Sequence, residues 1–137
     1  MYVYALIGAL MLLAGCANTP VPAHDPGKAW IEFFTRTGKL VMAERLDNQR
    51  LSDGRYFQVD PGRHELMVRF DYEVTQSVLP MGQPTERICY ITLHYDGFQA
   101  GQRYRLEARN MAFQTYAYLY DPQGKKVATE DDVNCLF

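Results

Sequence analysis

Several sequence features that would mark an enzyme or a nucleic-acid-binding protein are absent. Basic residues are not in excess, with 14 Lys and Arg against 16 Asp and Glu and a net charge of −2, and they form no stripe that could follow a phosphate backbone. No Gly-x-Ser-x-Gly motif surrounds Ser52 or Ser77, so neither serine is placed as a nucleophile. No Cys-x-x-Cys pair points to a metal or thiol-redox site. We therefore expect no enzyme activity, no cofactor, no bound metal and no nucleic-acid partner.

Two histidines within the domain, His64 and His94, leave metal binding open as an alternative, with neighbouring Asp or Glu as further ligands. His64 shares one face of its predicted strand with apolar side chains. A structural, hydrogen-bonded role is therefore the expectation for this residue.

A long apolar run is also missing. The thirteen residues from Tyr2 to Ala14 carry no charge and are almost continuously apolar, but a helix needs about 20 such residues to cross a bilayer. A run of this length at the start of a chain is typical of a secretory signal peptide. We therefore predict that residues 1–15 form a cleaved signal peptide, with a buried N-terminal helix as the alternative.

The end of this run, Leu13-Ala14-Gly15-Cys16, resembles the lipobox of bacterial lipoproteins at all four positions. The resemblance implies cleavage before Cys16 and a diacylglycerol on its sulfur, because a thiolate is nucleophilic enough to take the lipid as a thioether. Acyl chains would anchor the protein at about 0.8 kcal/mol per buried methylene. By resemblance to enterobacterial sorting signals, Ala17 implies the outer membrane, facing the periplasm.

Three cysteines are present, an odd number for an exported protein. If Cys16 carries lipid, Cys89 and Cys135 remain as a pair in an oxidising compartment. We predict a disulfide between them, which would hold the C-terminus to a central strand; two independent free thiols are the alternative.

The remaining chain divides into a tether and one domain. Residues 16–27 contain three prolines and one glycine without a repeat, a composition typical of an extended linker, in which His24 is expected to be solvated. Residues 28–137 form short segments separated by turn signals, which predicts a single all-β domain, an antiparallel β-sandwich of about seven to eight strands. An up-and-down barrel is the alternative. Residues 29–36 and 39–46 flank Thr37-Gly38, which predicts a hairpin.

Strict alternation of apolar and polar residues predicts which strand faces line the core. Three segments, 64–73, 87–95 and 103–109, have an apolar face that is predicted to line the core: His64, Leu66, Val68, Phe70, Tyr72; Cys89, Ile91, Leu93, Tyr95; Tyr104, Leu106, Ala108.

Three segments, 60–68, 100–106 and 119–121, together resemble small proteobacterial envelope lipoproteins with PEGA-like or transthyretin-like β-sandwich domains. The residues that carry the likeness are Asp60-Pro61-Gly62-Arg63-His64-Glu65-Leu66-Met67-Val68, Ala100-Gly101-Gln102-Arg103-Tyr104-Arg105-Leu106 and Leu119-Tyr120-Asp121. The resemblance implies a sandwich fold and non-enzymatic adhesion or scaffolding. The lipoprotein of the type VI secretion complex also combines a lipobox with a sandwich of this kind, but no loop in this sequence identifies the chain as that protein.

Tyr116, Tyr118 and Tyr120 alternate with Ala117 and Leu119, so the two sets lie on opposite faces of one strand. If the alanine and leucine line the core, the tyrosines form an exposed row suited to binding a protein or a glycan. If the tyrosines line the core, they are packing residues, and we favour this interpretation because sheets commonly bury tyrosine rings.

These features together predict a non-enzymatic lipoprotein of the cell envelope. It would bind an envelope protein or a cell-wall polymer through one sheet face or through the loops near 47–54 and 75–86. The alternatives are an inhibitor of a foreign hydrolase such as lysozyme and an accessory lipoprotein of a secretion complex.

Overall fold

The computed structural model describes residue 15 and residues 18–75 and 83–136, which form two β-sheets packed face to face. Residues 1–14 of the predicted signal peptide and the predicted lipidation site Cys16 lie outside the described residues. Within the described part of the chain, no helix has the length and apolar character needed to cross a membrane. We name each five-stranded sheet after its central strand. In spatial order, the β7 sheet contains β4 (Phe57–Val59), β1 (Ala29–Phe34), β7 (Arg103–Met111), β8 (Gln114–Tyr120) and β9 (Lys126–Thr129). The β5 sheet contains, in the same way, β10 (Asp132–Leu136), β6 (Thr85–Phe98), β5 (Gly62–Val74), β2 (Leu40–Leu46) and β3 (Gln49–Arg50).

The predicted fold class is confirmed, as a sandwich of ten strands among the described residues. The strands that the sequence did not indicate are short: β3 has two residues, and β10 pairs along its length with β6 near the C-terminus. One neighbouring pair, β1 and β7, is parallel, with Trp30 opposite Arg103 and Phe34 opposite Glu107. The other pairs are antiparallel.

The predicted hairpin around Thr37-Gly38 is wrong. β1 pairs with β4 and β7, whereas β2 pairs with β3 and β5, so the turn carries the chain from one sheet to the other. Gly38 has a φ of +84°, a conformation that glycine adopts without steric cost. A turn of this sequence can connect two strands of a hairpin or two strands of different sheets. Which connection forms depends on how the strands pair with residues distant in the chain.

The core lies between the sheets and contains the predicted faces. Leu66, Val68, Phe70 and Tyr72 of β5 are buried, as are the inward residues of β6 and β7, namely Cys89, Ile91, Leu93, Tyr104, Leu106 and Ala108. Tyr95 is half-buried against them. His64 is the exception, because it lies near the end of β5 and contacts polar groups.

The predicted disulfide is present, with an S–S distance of 2.07 Å between Cys89 and Cys135. The two residues are direct partners in the β6–β10 ladder. Cys89 is fully buried, so the bond joins the edge strand β10 to the core.

Candidate functional site

Tyr116, Tyr118 and Tyr120 lie on the outer face of the β7 sheet, which makes our favoured interpretation of buried tyrosines wrong. Ala117 and Leu119 are fully buried, whereas all three tyrosines are partly exposed. The space beneath β8 is occupied from the opposite sheet, since the Tyr72 hydroxyl reaches Thr115 Oγ1 at 2.8 Å. Small or aliphatic residues therefore fit on the inner side of β8, and the rings point outward.

The three rings form a row along β8. The centroids of Tyr116 and Tyr118 are 6.3 Å apart, with their planes within 11° of parallel, and those of Tyr118 and Tyr120 are 6.5 Å apart. This spacing is set by the two-residue repeat of the strand. The row offers several aromatic surfaces on a rigid element.

Cations from the neighbouring strands lie over these rings. The Arg105 guanidinium is 5.2 Å from the centroid of Tyr120 and 5.5 Å from that of Phe34, and Lys126 Nζ is 4.7 Å from that of Tyr118. Such contacts contribute about 0.5–1 kcal/mol each at exposed sites. They also hold long, flexible side chains flat against the sheet, which lowers the entropy that a binding partner would have to remove.

The outward side chains of β1, β7, β8 and β9 define a surface that we call the aromatic face. Its cations outnumber its carboxylates by four to two, and Phe34 within it is 48% exposed. Its charged and aromatic members are Glu32, Phe34, Arg103, Arg105, Glu107, Arg109, Tyr116, Tyr118, Tyr120 and Lys126, and the outward Met111, Gln114 and Thr129 also belong to it. The sequence indicated the tyrosines and the charged outer side of β7. It did not indicate Phe34, because β1 and β7 are parallel neighbours far apart in the chain.

One end of the same sheet is closed. Trp30 is buried although it points outward, because its ring stacks on Tyr56 at 4.4 Å and lies 5.9 Å from His24. Arg103 lies 5.8 Å above the Trp30 ring. The accessible part of the face therefore lies along β7, β8 and β9 and around Phe34 at the far end of β1.

The two domain histidines lie near each other in the β5 sheet, at one end, and each makes two polar contacts. His94 Nε2 is 2.8 Å from Glu65 and its Nδ1 is 2.5 Å from Asp131. His64 Nδ1 is 2.6 Å from Asp47 and its Nε2 is 2.7 Å from the Asp60 carbonyl. Among the described residues, no group of three or more His, Cys, Asp or Glu side chains is arranged to hold a metal.

These contacts shift two pKa values. The hydrogen bond with Asp131 raises the pKa of His94 above its ordinary value of 6.5, assisted by Glu65 and opposed by partial burial. For Asp47, burial raises the pKa, but hydrogen bonds from the Glu65 amide and the His64 ring outweigh it and leave the pKa below 3.8. The arrangement joins strands through polar contacts, and both nitrogens of each imidazole lie within hydrogen-bond distance of a protein oxygen.

The fold and the site together define a β-sandwich domain, with ten strands in the described part of the chain and an aromatic and cationic outer face. Comparisons with protein-family models, curated proteins and solved structures found no match for this chain. The likeness to envelope lipoproteins with PEGA-like domains and the lipidation of Cys16 stay predictions.

Proposed function

We propose that this protein is a non-enzymatic lipoprotein of the bacterial cell envelope that binds an acidic surface of a partner protein through its aromatic face. A lipid on Cys16 would hold it at the outer membrane, on the periplasmic side. The observation that carries the proposal is the row of outward tyrosines on β8 with cations from β7 and β9 over their rings.

The composition of the aromatic face supports a protein partner. Tyrosine, phenylalanine and arginine are the residues enriched where proteins bind one another, and tyrosine and arginine account for many of the residues that dominate binding free energy. The tyrosines stand on β8, a strand paired on both sides, and their rings contact neighbouring rings and cations, so little side-chain freedom remains to be lost. A sugar would compete with Arg105 and Lys126 for the ring faces of Tyr120 and Tyr118, which favours a protein over a glycan.

The charge of the face supports an acidic partner. Arg105 and Lys126 are fixed over rings and keep their cationic groups at the surface, and the face carries two more cations than carboxylates. Complementary charge increases the rate of association and disfavours wrong partners. The protein as a whole is slightly acidic, with a net charge of −2, so this face differs from the average of the molecule.

The disulfide supports location outside the cytosol. Bonds of this kind persist in the periplasm and are rare in the reducing cytosol. Together with the lipobox resemblance at Cys16, the Cys89–Cys135 bond is what an exported and anchored protein would carry.

Site-specific photocrosslinking in cells that make the full chain tests the proposal. Benzoylphenylalanine replaces Tyr118, and in a matched control it replaces Tyr90, a partly exposed tyrosine on the outer face of the β5 sheet. We expect a discrete protein adduct at position 118 and none at 90. Arg105→Glu should reduce the adduct at least tenfold, whereas the charge reversal Arg63→Glu on the other sheet should leave it unchanged.

Three results would overturn this assignment. Equal adducts at 118 and 90 would remove the face specificity. A heterogeneous adduct that collapses when cell-wall glycan is digested would identify a polymer in place of a protein. An adduct that survives Arg105→Glu at full strength would remove the electrostatic basis of recognition.

A further inference from the structure

The segment of residues 18–28, which contains the described part of the predicted tether (residues 16–27), contacts the domain near both of its ends. Arg55 Nη1 donates a hydrogen bond to the Thr19 carbonyl at 2.7 Å. The same guanidinium is held by Asp53, with Nε and Nη2 at 2.9 and 2.7 Å from its two carboxylate oxygens. Arg55 is therefore fixed between a loop of the domain and the segment that leads to Cys16.

The other end of the segment is attached as well. His24 Nε2 donates to the Lys28 carbonyl at 2.8 Å, and the Gly101 amide donates to the same oxygen at 2.9 Å. The His24 ring lies against Trp30, which itself stacks on Tyr56. Contacts at both ends leave the segment a defined path over the protein surface.

This path follows one side of the sandwich. β4 is the outermost strand of the β7 sheet, β3 is the outermost strand of the β5 sheet, and residues 51–56 connect these two strands. We call the surface formed by residues 18–22 and 50–56 the docking edge. On the opposite side of the sandwich, β9 and β10 are the outermost strands.

The position of Asn18 limits where an anchor on Cys16 can be. Cys16 lies two positions before Asn18, and a fully extended chain spans at most about 7 Å over two residue steps. A lipid on Cys16 would therefore bring the docking edge to the level of the lipid headgroups. The exposed groups there suit such contact: Val21 is 48% exposed, and the Arg50 side chain is 75% exposed, with its Nε 3.9 Å from Glu44. Arg55 is 43% exposed and is paired with Asp53, so Arg50 is the cation available to a headgroup.

We infer that the docking edge is the membrane-facing surface of this protein and contacts anionic lipid headgroups. This inference rests on the proposed lipidation of Cys16. The sandwich then stands edge-on, with the planes of both sheets roughly perpendicular to the membrane. The aromatic face is turned sideways, toward a partner that stands on the same membrane.

Fluorescence quenching by headgroup-labelled lipid tests the orientation. The lipidated full chain is placed in vesicles of phosphatidylethanolamine and phosphatidylglycerol at 3:1 that contain a nitroxide headgroup quencher. A fluorophore is attached at Ser52→Cys in the docking edge or at Thr129→Cys on β9. The new thiol is the one free to react, because Cys16 carries lipid and the other two cysteines are bonded. Five strands at about 4.8 Å spacing place the two labels roughly 19 Å apart.

We expect the label at 52 to be quenched several-fold more than the label at 129. Arg55→Ala removes the hydrogen-bond donor to Thr19 and should make the quenching at positions 52 and 129 similar. Arg36→Ala, at an exposed residue away from the tether, should leave the difference in quenching unchanged. Equal quenching of both labels in the otherwise unchanged protein overturns the orientation. Failure of Cys16 to incorporate palmitate, with no binding to vesicles, overturns the anchor and with it the proposed function.

Discussion

At the scale of single residues, His94 is the side chain whose protonation state bears most directly on stability. It contacts carboxylates through both ring nitrogens, Glu65 on β5 and Asp131 before β10. A neutral imidazole has one donor, so both contacts are satisfied as donated hydrogen bonds when the ring is charged. His94 thus joins three elements of the β5 sheet in its protonated form.

This geometry predicts a pH dependence of stability. The pKa of His94 is raised in the folded protein, so its contribution is fully present below the unfolded value of about 6.5 and is lost as the pH rises through the folded value. Because the pair is largely exposed, the effect should be at most about 1 kcal/mol. His94→Gln should lower the melting temperature by a few degrees at pH 6 and by less at pH 8.5.

Thermal unfolding followed by circular dichroism measures this difference, with His24→Gln in the tether as the control histidine. A melting-temperature difference between the wild type and His94→Gln that is the same at both pH values would contradict the prediction. The direction of the pH dependence is diagnostic. If His94 were instead buried in its neutral form, the melting-temperature difference between the wild type and His94→Gln would increase with pH.

At the scale of elements, β10 depends on one strand and one covalent bond. It is the outermost strand of the β5 sheet, pairs with β6 from Asp132 to Leu136, and is tied to it by Cys135. The bond closes a loop of 46 residues, for which the chain-entropy model gives about 4 kcal/mol of stabilisation.

Removing the bond should therefore lower the free energy of unfolding by about 2–4 kcal/mol and expose β10. Cys89→Ala with Cys135→Ala tests this in urea unfolding, and the reduced wild type is the matched comparison without a change of sequence. Hydrogen exchange should increase at the amides of β10 and at the β6 amides that face it. A loss below about 1 kcal/mol with β10 still protected would show that pairing alone holds the strand.

For the strands, the sequence predicted some buried faces correctly but not the strand pairing. Alternation correctly placed the buried faces of β5, β6 and β7, because a period of two assigns side chains to faces whatever the strand pairs with. It could not decide which face of β8 is buried, since tyrosine suits either side and the answer lay in Tyr72 reaching across from the other sheet. The sequence indicated the turn at Thr37-Gly38. It did not indicate that the next strand joins the other sheet, because strand pairing depends on residues far apart in the chain.

The same limit applies to the candidate site. The tyrosines of β8 were singled out from their spacing, whereas Phe34 joins them only because β1 lies parallel to β7. The contacts of residues 18–28 with the domain depend on Arg55, which nothing in a proline-rich composition indicates.

At the scale of the whole molecule, the two sides of the sandwich have different roles. Residues 18–28 cover the β4 side, and the disulfide holds β10 on the other. Exposed edge strands invite pairing with other chains, and short strands with charged side chains limit it. The accessible aromatic face lies between these sides, on strands β1, β7, β8 and β9.

This separation predicts that the anchor acts on binding through local concentration. Cys16→Ser should leave the melting temperature and the circular dichroism spectrum of the exported protein unchanged, because the core of the described residues is built from positions 29–135 and the disulfide joins Cys89 to Cys135. It should release the protein from the membrane and reduce the crosslink at position 118 by one to two orders of magnitude, since a shared membrane raises the effective concentration of two partners. Replacing the signal sequence and Cys16 with an unrelated membrane-spanning anchor should restore the crosslink. A Cys16→Ser protein that stays on the membrane with its crosslink intact would mean that the domain itself holds the membrane, and the aromatic face would then have to be reconsidered as a lipid-binding surface.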